Sequence, residues 1–362
     1  MFVTFGEIMM RITPPGALCF RQALPGTAEI TFGGGEANVA VSLSLLGNAV
    51  RYVTALPRNP LAETAAGVLR ATGVDTSHVL WRKEGRLGIY FLETGANQRA
   101  SNVIYDRAGS AISLAEPAEY PFDGALAGAK WLHVTGITPA ISEPAFKATL
   151  EAVRKAKAAG AAVACDLNFR KKLWNWRPGT SSNALARECM SAILRHADLV
   201  IGNEEDAESV LGIAAAGAAI EKGVLHAAAY EAVARGILQQ FQNVGRVAIT
   251  LRESVSATHN NWGGMLMDRA TDRAYFAPLD ERGAYAPYPI RDIVDRVGSG
   301  DSFAAGLLHA LGGKMGAAPA EAIRFAVAAS CLKHSIKGDF NYATEAEILT
   351  LTKGDASGRV KR

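Results

Sequence analysis

The chain has 362 residues, 49% of them hydrophobic and 20% charged, with a formal net charge of +3. That composition excludes a disordered chain and suits one large α/β domain or two ordinary ones. So small a charge, with no dense Lys/Arg block and no basic–aromatic interleaving, argues against a nucleic-acid binder.

The opening "FVTFGEIMM" (2–10) reads as a short apolar strand of the kind buried in a parallel sheet. The stretch 11–30 is irregular, and "GEANVAVSLSLLG" (35–47) reads as a helix entered through glycines and closed by Gly47. A strand at 49–56 and a helix at 61–73 follow. Strands are then predicted at 130–136, 161–167, 197–202 and 246–251, and helices at 143–158, 186–195, 228–242, 301–312 and 319–334. This alternation predicts a doubly wound, mostly parallel α/β sheet flanked by helices in a single domain, with ligands outside the carboxyl ends of its strands. Short strand-like runs at 78–82, 87–93 and 100–106 break the alternation and predict an antiparallel insertion. Together, about 11–30 and 83–110 are expected to form a small β lid over the site. The Ala-rich stretch 214–229 reads as a surface insertion and the tail 353–362 as frayed.

Cys19, Cys165, Cys189 and Cys331 are widely spaced and form no C-x-x-C pair. Neither a zinc nor a disulfide framework is expected, and a reducing, cytoplasmic compartment is. No signal peptide is read, and no apolar run reaches the ~18 residues of a membrane span.

The chemistry concentrates in "DRVGSGDSFAAG" (295–306). Glycines at a helix N-terminus let backbone N–H groups crowd an anion, helped by the helix dipole. An Asp there serves as an N-cap. Beside an anion cradle it has a second use: it takes the proton of a substrate hydroxyl while the cradle holds a transferring phosphoryl group. The glycines at 33–35 fit neither G-x-G-x-x-G nor G-x-x-x-x-G-K-[ST], so neither a dinucleotide fingerprint nor a P-loop is indicated.

"DRVGSGDSFAAGLLHAL" closely resembles the C-terminal signature of the ribokinase-like (PfkB) carbohydrate kinases, and "FGGGEANVAVSLSLLG" (32–47) resembles their N-terminal signature. The resemblance spans essentially the whole chain. It implies that Asp301 is the catalytic base and that Gly298, Ser299 and Gly300 form the anion hole. It also implies that Gly33, Gly34 and Gly35 let a sugar approach and that Asn38 bonds a sugar hydroxyl. "IGNEEDAESVLG" (201–212) resembles the family's N-x-x-E segment, which handles magnesium and phosphate. That gives Asn203 a nucleotide role and Asp206, or else Glu205, an indirect metal role.

"DLNFRKKLW" (166–174), "NVIYDRAGSA" (102–111) and "KGDFNYAT" (337–344) are similar to segments of 2-keto-3-deoxygluconate kinases. A sugar acid needs a cation for its carboxylate, and arginine offers a planar, bidentate fork. Arg107 after a lid strand and Arg170 after a core strand are the candidates, with Tyr90, Tyr105 and Asn168 beside them. Glu7 stands where many relatives carry an Asp that binds sugar hydroxyls. The nucleotide loop departs further, since "TLRESVSATHNNWGG" (250–264) lacks glycine until Gly263. Thr250, Arg252, Arg296 and Asn341 remain candidates for the nucleotide.

The resemblance implies ATP and Mg2+ as cofactors and a homodimer or higher homo-oligomer built through the lids. A monovalent cation such as K+ near the anion hole is common in the family, and "IRDIVDRVG" (290–298) with "KGDFN" (337–341) would supply its walls. The expected activity is phosphoryl transfer from ATP to a sugar acid. A fructokinase or another neutral-sugar kinase is the alternative, and a non-catalytic sugar-acid sensor is a third reading.

Overall fold

In the computed structural model, which describes residues 1–213 and 227–354, nine strands form one central sheet. Its order is Arg273–Ala277, His259–Asp268, Arg246–Ser256, Leu199–Gly202, Ala162–Asp166, Trp131–Thr135, Phe2–Phe5 and Val50–Val53, with Tyr288–Ile290 added beside His259–Asp268. The six strands from Arg246–Ser256 to Val50–Val53 run parallel. The strands beyond Arg246–Ser256 are antiparallel.

Parallel strands need covered faces, and these strands alternate between two apolar layers. Val163, Cys165 and Val200 face one layer, closed by helices Glu143–Ala158, Ser182–Leu194 and Ala227–Gln240. Ala164, Leu199 and Ile201 face the other, closed by Gly35–Leu45, Pro60–Ala71, Ser299–Gly312 and Pro319–Lys333. Local chemistry starts several of these helices. Asn59 and Ser142 each accept a backbone N–H as N-caps, with proline in the first turn. The doubly wound sheet expected from the alternation is the one the chain forms.

Three expectations are corrected. The opening run 2–10 is two strands: it leaves the central sheet at Gly6 and enters a second sheet at Met9–Thr13. The stretch 78–82 does not join the insertion; as Leu80–Arg82 it pairs in parallel with Ala55–Pro57. Arg252 and Glu253 do not stand in a loop, because Arg246–Ser256 continues as one long hairpin strand against His259–Asp268. The Ala-rich stretch up to residue 226 and the tail from 355 lie outside the described residues.

The second sheet has the order Glu29–Gly33, Met9–Thr13, Gly88–Glu93, Asn102–Asp106. Its outer pairs are antiparallel and its central pair is parallel. Register sorts its side chains by face. Thr31, Arg11, Tyr90 and Tyr105 form one row; Ile30, Ile12, Phe91 and Ile104 form the neighbouring row, on the opposite face. The Arg11 face carries Met9, Tyr90 and Leu92, which pack with Val297 beside the 298–301 turn. On the opposite face Ile30 and Ile104 are exposed.

Helix Ser299–Gly312 is buried almost all round, and small residues let it sit close to its neighbours. A Cβ at Gly264, on the sheet beneath it, would meet the Phe303 ring at 2.8 Å and Val327 at 2.9 Å. Gly264→Ala therefore pushes this helix off the sheet. It is expected to cost about 1–3 kcal/mol in urea denaturation, part of which Phe303→Leu should restore in the double variant. An unchanged urea midpoint would show that the helix is not seated this tightly.

Candidate active site

The parallel strands present their carboxyl ends on one side, and the chain order reverses between Phe2–Phe5 and Trp131–Thr135. Such a switch point opens a crevice in a doubly wound sheet. Thr135 and Asp166 each end a strand there, and Gly6 and Glu7 follow the first strand.

Two helices meet over this crevice. Helix Ser299–Gly312 begins after Gly298, whose φ of 82° is left-handed and whose Cβ, if it had one, would meet the carbonyl of Asp339 at 2.1 Å. Only glycine fits there. The turn is tied down by Ser302 Oγ donating to the Gly298 carbonyl and Ser330 Oγ donating to the Ser299 carbonyl. The first N–H groups of a helix have no acceptor within it, so those of Gly300 and Asp301 are available to an anion.

The other helix, Gly35–Leu45, supplies Asn38. Its Oδ1 accepts the N–H of Gly34, which turns its amide nitrogen toward Asp301; Nδ2 donates to Asp301 Oδ2 at 2.7 Å. The two glycine signatures, 263 residues apart at this contact, are thereby joined. Around them Gly35 lies against Asp301, Gly34 against the carbonyl of Glu7, and Gly33 against the carboxylate of Asp339. A Cβ at Gly33 or Gly34 would collide with these groups at 2.1 and 2.0 Å, whereas one at Gly35 would reach Asp301 only at an ordinary 3.6 Å.

The site is acidic. Asp301 is pushed up to about 7, chiefly by burial; Asn38 and Arg170 pull it down, while Asp339 and Glu36 push it up. Burial, then Asp206 and Asp301, hold Asp166 well above the carboxylate range. Burial raises Asp206 as well, against Arg170. Glu36 is buried beneath, raised by burial, with the hydroxyls of Thr135 and Thr138 donating to its Oε1 at 2.8 Å each.

The remaining candidates divide. Arg170 is exposed, donates to the Phe169 carbonyl, and forms no ion pair among the described residues. Its charge nevertheless acts on Asp301, Asp166 and Asp206. Asn168 has a left-handed φ of 35° and donates its N–H to Asp166. Arg107 is buried and already ion-paired with Glu7. Tyr105 stacks its ring under Arg107 at 5.6 Å. The Tyr90 hydroxyl donates to Asp339. Glu7 Oε1 and Arg107 Nε are buried and have no hydrogen-bond partner among the described residues.

Of the residues expected to meet the nucleotide, Asn203 and Asp206 form a capping box at helix Glu204–Leu211, and Asp206 also accepts the Phe169 N–H. Glu205 is exposed. Thr250 donates to the Gly202 carbonyl, and Arg252 is exposed on its strand. Arg296 donates to the carbonyls of Ser256 and Ala257. Asn341 is buried, with both ends of its amide used by the backbone at Ala329 and Ala343. Sequence reasoning missed Asp166, Thr135, Glu36, Arg11, Asp295, Lys333 and Asp339. Asp166 carried a signal as an acid closing a predicted strand, and Asp295 and Asp339 lie in the two stretches read as walls of a cation site. Among the described residues no group of three or more His, Cys, Asp or Glu is arranged to hold a metal, and no helix is long and apolar enough to cross a membrane.

A carboxylate at a glycine-opened helix N-terminus, in the crevice of a doubly wound sheet, is an arrangement suited to phosphoryl transfer to an alcohol. The comparisons agree: the model for the pfkB family carbohydrate kinases matches residues 1–251 and 264–343, and the chain belongs to that family. It is similar to the 2-dehydro-3-deoxygluconokinase structure from Thermotoga maritima, at 41% identity and a TM-score of 0.87 over 98% of each chain. It is 31% identical to a 2-dehydro-3-deoxygalactonokinase of Haloferax volcanii over 98% of both chains. It is 27% identical to fructokinase-1 of Oryza sativa over 97% of both. The protein is a carbohydrate kinase.

Ionised Asp301 is costly inside this acidic site. Its folded value near 7 exceeds the ordinary 3.8, so folding takes up a proton between these limits and stability falls as pH rises through them. Asp301→Asn is expected to melt above wild type at about pH 8, with the advantage shrinking below pH 7 and gone below about pH 4. Thermal melts across pH check this; a variant that melts lower than wild type at about pH 8 would contradict it.

Proposed function

We propose that this chain is an ATP-dependent sugar-acid kinase that phosphorylates 2-keto-3-deoxygluconate on its 6-hydroxyl. The observation that carries the reading is Asp301, oriented by Asn38 at the anion-hole turn, with the exposed and unpaired Arg170 acting on the same crevice. Asp301 accepts the hydroxyl proton as the oxygen attacks the γ-phosphorus. A value near 7 keeps this carboxylate basic enough to take that proton and ionised enough to act near neutrality. The N–H groups of Gly300 and Asp301 stabilise charge on the transferring group, that of Ser299 being donated to the Arg296 carbonyl. Asp166, at a strand end, and Asp206, in the first turn of helix Glu204–Leu211, are acids that would suit a magnesium ion arriving with the nucleotide, which would neutralise phosphate charge. Thr250, Arg252 and Arg296 are the nucleotide-facing candidates.

Arg170 is the cation for the substrate carboxylate. Arg107 acts with Glu7, and the unspent Glu7 Oε1 and Arg107 Nε give the pair an acceptor and a donor for sugar oxygens. Thr31, Arg11, Tyr90 and Tyr105 give the lid a polar inner row, and the exposed Ile30 and Ile104 on its other face suit pairing with a second copy. Light scattering is then expected to return twice the chain mass, and Ile30→Lys with Ile104→Lys to return it once.

A neutral-sugar reading is favoured by one observation: Glu7 neutralises Arg107, leaving a single arginine rather than two for a substrate acid. ADP release across sugar acids and neutral sugars separates the readings. Arg170→Lys keeps the charge and loses the planar fork, so binding of the acid should weaken by about tenfold or more. An analogue whose carboxylate is reduced to an alcohol should lose little. Equal losses for acid and analogue, or faster turnover of fructose than of any acid, would select the neutral-sugar kinase.

A further inference from the structure

The family resemblance implies a monovalent cation walled by 290–298 and 337–341. In this chain that place is taken by side chains. Asp295 Oδ2 accepts Arg11 Nη2 at 2.6 Å and the Gly338 N–H at 3.1 Å, while its Oδ1 accepts the Val297 N–H at 3.0 Å. Asp339 Oδ1 accepts Arg11 Nη1 and the Tyr90 hydroxyl, each at 2.7 Å. The backbone carbonyls are engaged by Lys333, which is fully buried: Nζ donates to Ile336 at 2.9 Å and to Asp295 at 3.5 Å. An alkali ion binds where several oxygens converge with lone pairs to spare. Here two carboxylates and two carbonyls already face a guanidinium and an ammonium. The buried charges sum to zero, and an added K+ would be an unpaired charge in a dry interior.

We propose that Arg11 and Lys333 are covalently tethered substitutes for the monovalent cation, so that the anion-hole turn is held permanently and the enzyme is indifferent to K+. The inference rests on the phosphoryl-transfer reading for its kinetic consequence, although the cation site itself is defined without it. Asp295 opens the turn that leads through Gly298 to Asp301, and Lys333 reaches it from the end of helix Pro319–Lys333. Arg11 reaches it from the lid sheet. Both are positioning residues that touch neither substrate nor nucleotide.

The test compares potassium chloride with tetramethylammonium chloride at equal ionic strength, reading both melting temperature and turnover of whichever sugar the enzyme phosphorylates. Wild type should show the same melting temperature and the same kcat in both salts. Lys333→Ala strips the carbonyls of their donor and opens room for an ion. It should lose at least about tenfold in kcat in tetramethylammonium, about 1.4 kcal/mol. K+ or ammonium should restore part of that loss and raise the melting temperature of the variant alone. Lys333→Arg, which keeps the charge, should fold and stay indifferent to K+, and it stands in if the alanine variant does not fold. Wild type that melts higher or turns over faster in K+ than in tetramethylammonium would overturn the proposal, as would a folded Lys333→Ala variant that matches wild type in both salts. If no sugar is phosphorylated in any buffer, the functional reading fails, and the melting comparison still decides the cation question.

Discussion

Arg11 is the residue on which the arrangement of the site depends. One guanidinium, buried and held by Asp295 and Asp339, joins three segments that lie far apart in the sequence: the lid strand Met9–Thr13, the turn before the anion-hole helix, and the segment after helix Pro319–Lys333. Burial alone would weaken its charge, but the two carboxylates more than reverse that and hold it firmly cationic. Asp339 in turn lies against Gly33 and carries the Tyr90 hydroxyl, so the second sheet, the glycines at 33–35 and the turn at 298–301 share one ionic joint. Breaking one partner of such a buried pair costs far more than the pair contributes net, because the remaining charge is stranded.

This joint divides the lid into a fixed and a free part. Met9–Thr13 and the inner residues of Gly88–Glu93 are buried against the catalytic turn, whereas Asn102–Asp106 is mostly exposed and Glu29–Gly33 partly so. The outer strands are therefore the less buried part of this sheet, while its base is held beside the turn that leads to Asp301. Beneath it, the concentration of carboxylates at Asp301, Asp166, Asp206 and Glu36 is costly for stability and useful for chemistry. Asp206 and Asp301 both raise the proton affinity of Asp166, and Asp339 and Glu36 raise that of Asp301.

The sequence made the scaffold legible because its signals are local. Strand and helix periods, the N-caps and the glycine-rich entries to Gly35–Leu45 and Ser299–Gly312 can each be read within a dozen residues. The contact of Asn38 with Asp301 was not legible: the resemblance gave Asn38 to a sugar hydroxyl, whereas its Nδ2 donates to Asp301. What stayed hidden is long-range. Nothing near Arg107 shows that Glu7 claims it, and nothing near Arg11 shows that Asp295 and Asp339 share it. The split of 2–10 follows from Gly6, where a side chain would collide with the Glu36 carboxylate, itself a contact from another helix. The hairpin at 246–268 was missed because "HNNWGGMLMD" mixes polar residues and glycines in a strand that is nevertheless largely buried. The absence of the usual glycines in "TLRES" marked a departure in the nucleotide segment but could not reveal that the segment is a strand.

The account stands on Asp301 as the proton acceptor of a sugar-acid kinase, and steady-state kinetics of Asp301→Asn with 2-keto-3-deoxygluconate and ATP test it most directly. The amide keeps the shape and the Asn38 contact while removing the basic oxygen. The variant's kcat is expected to fall by at least ~10² with little change in KM for the sugar. A variant that keeps more than half of the wild-type kcat would contradict it.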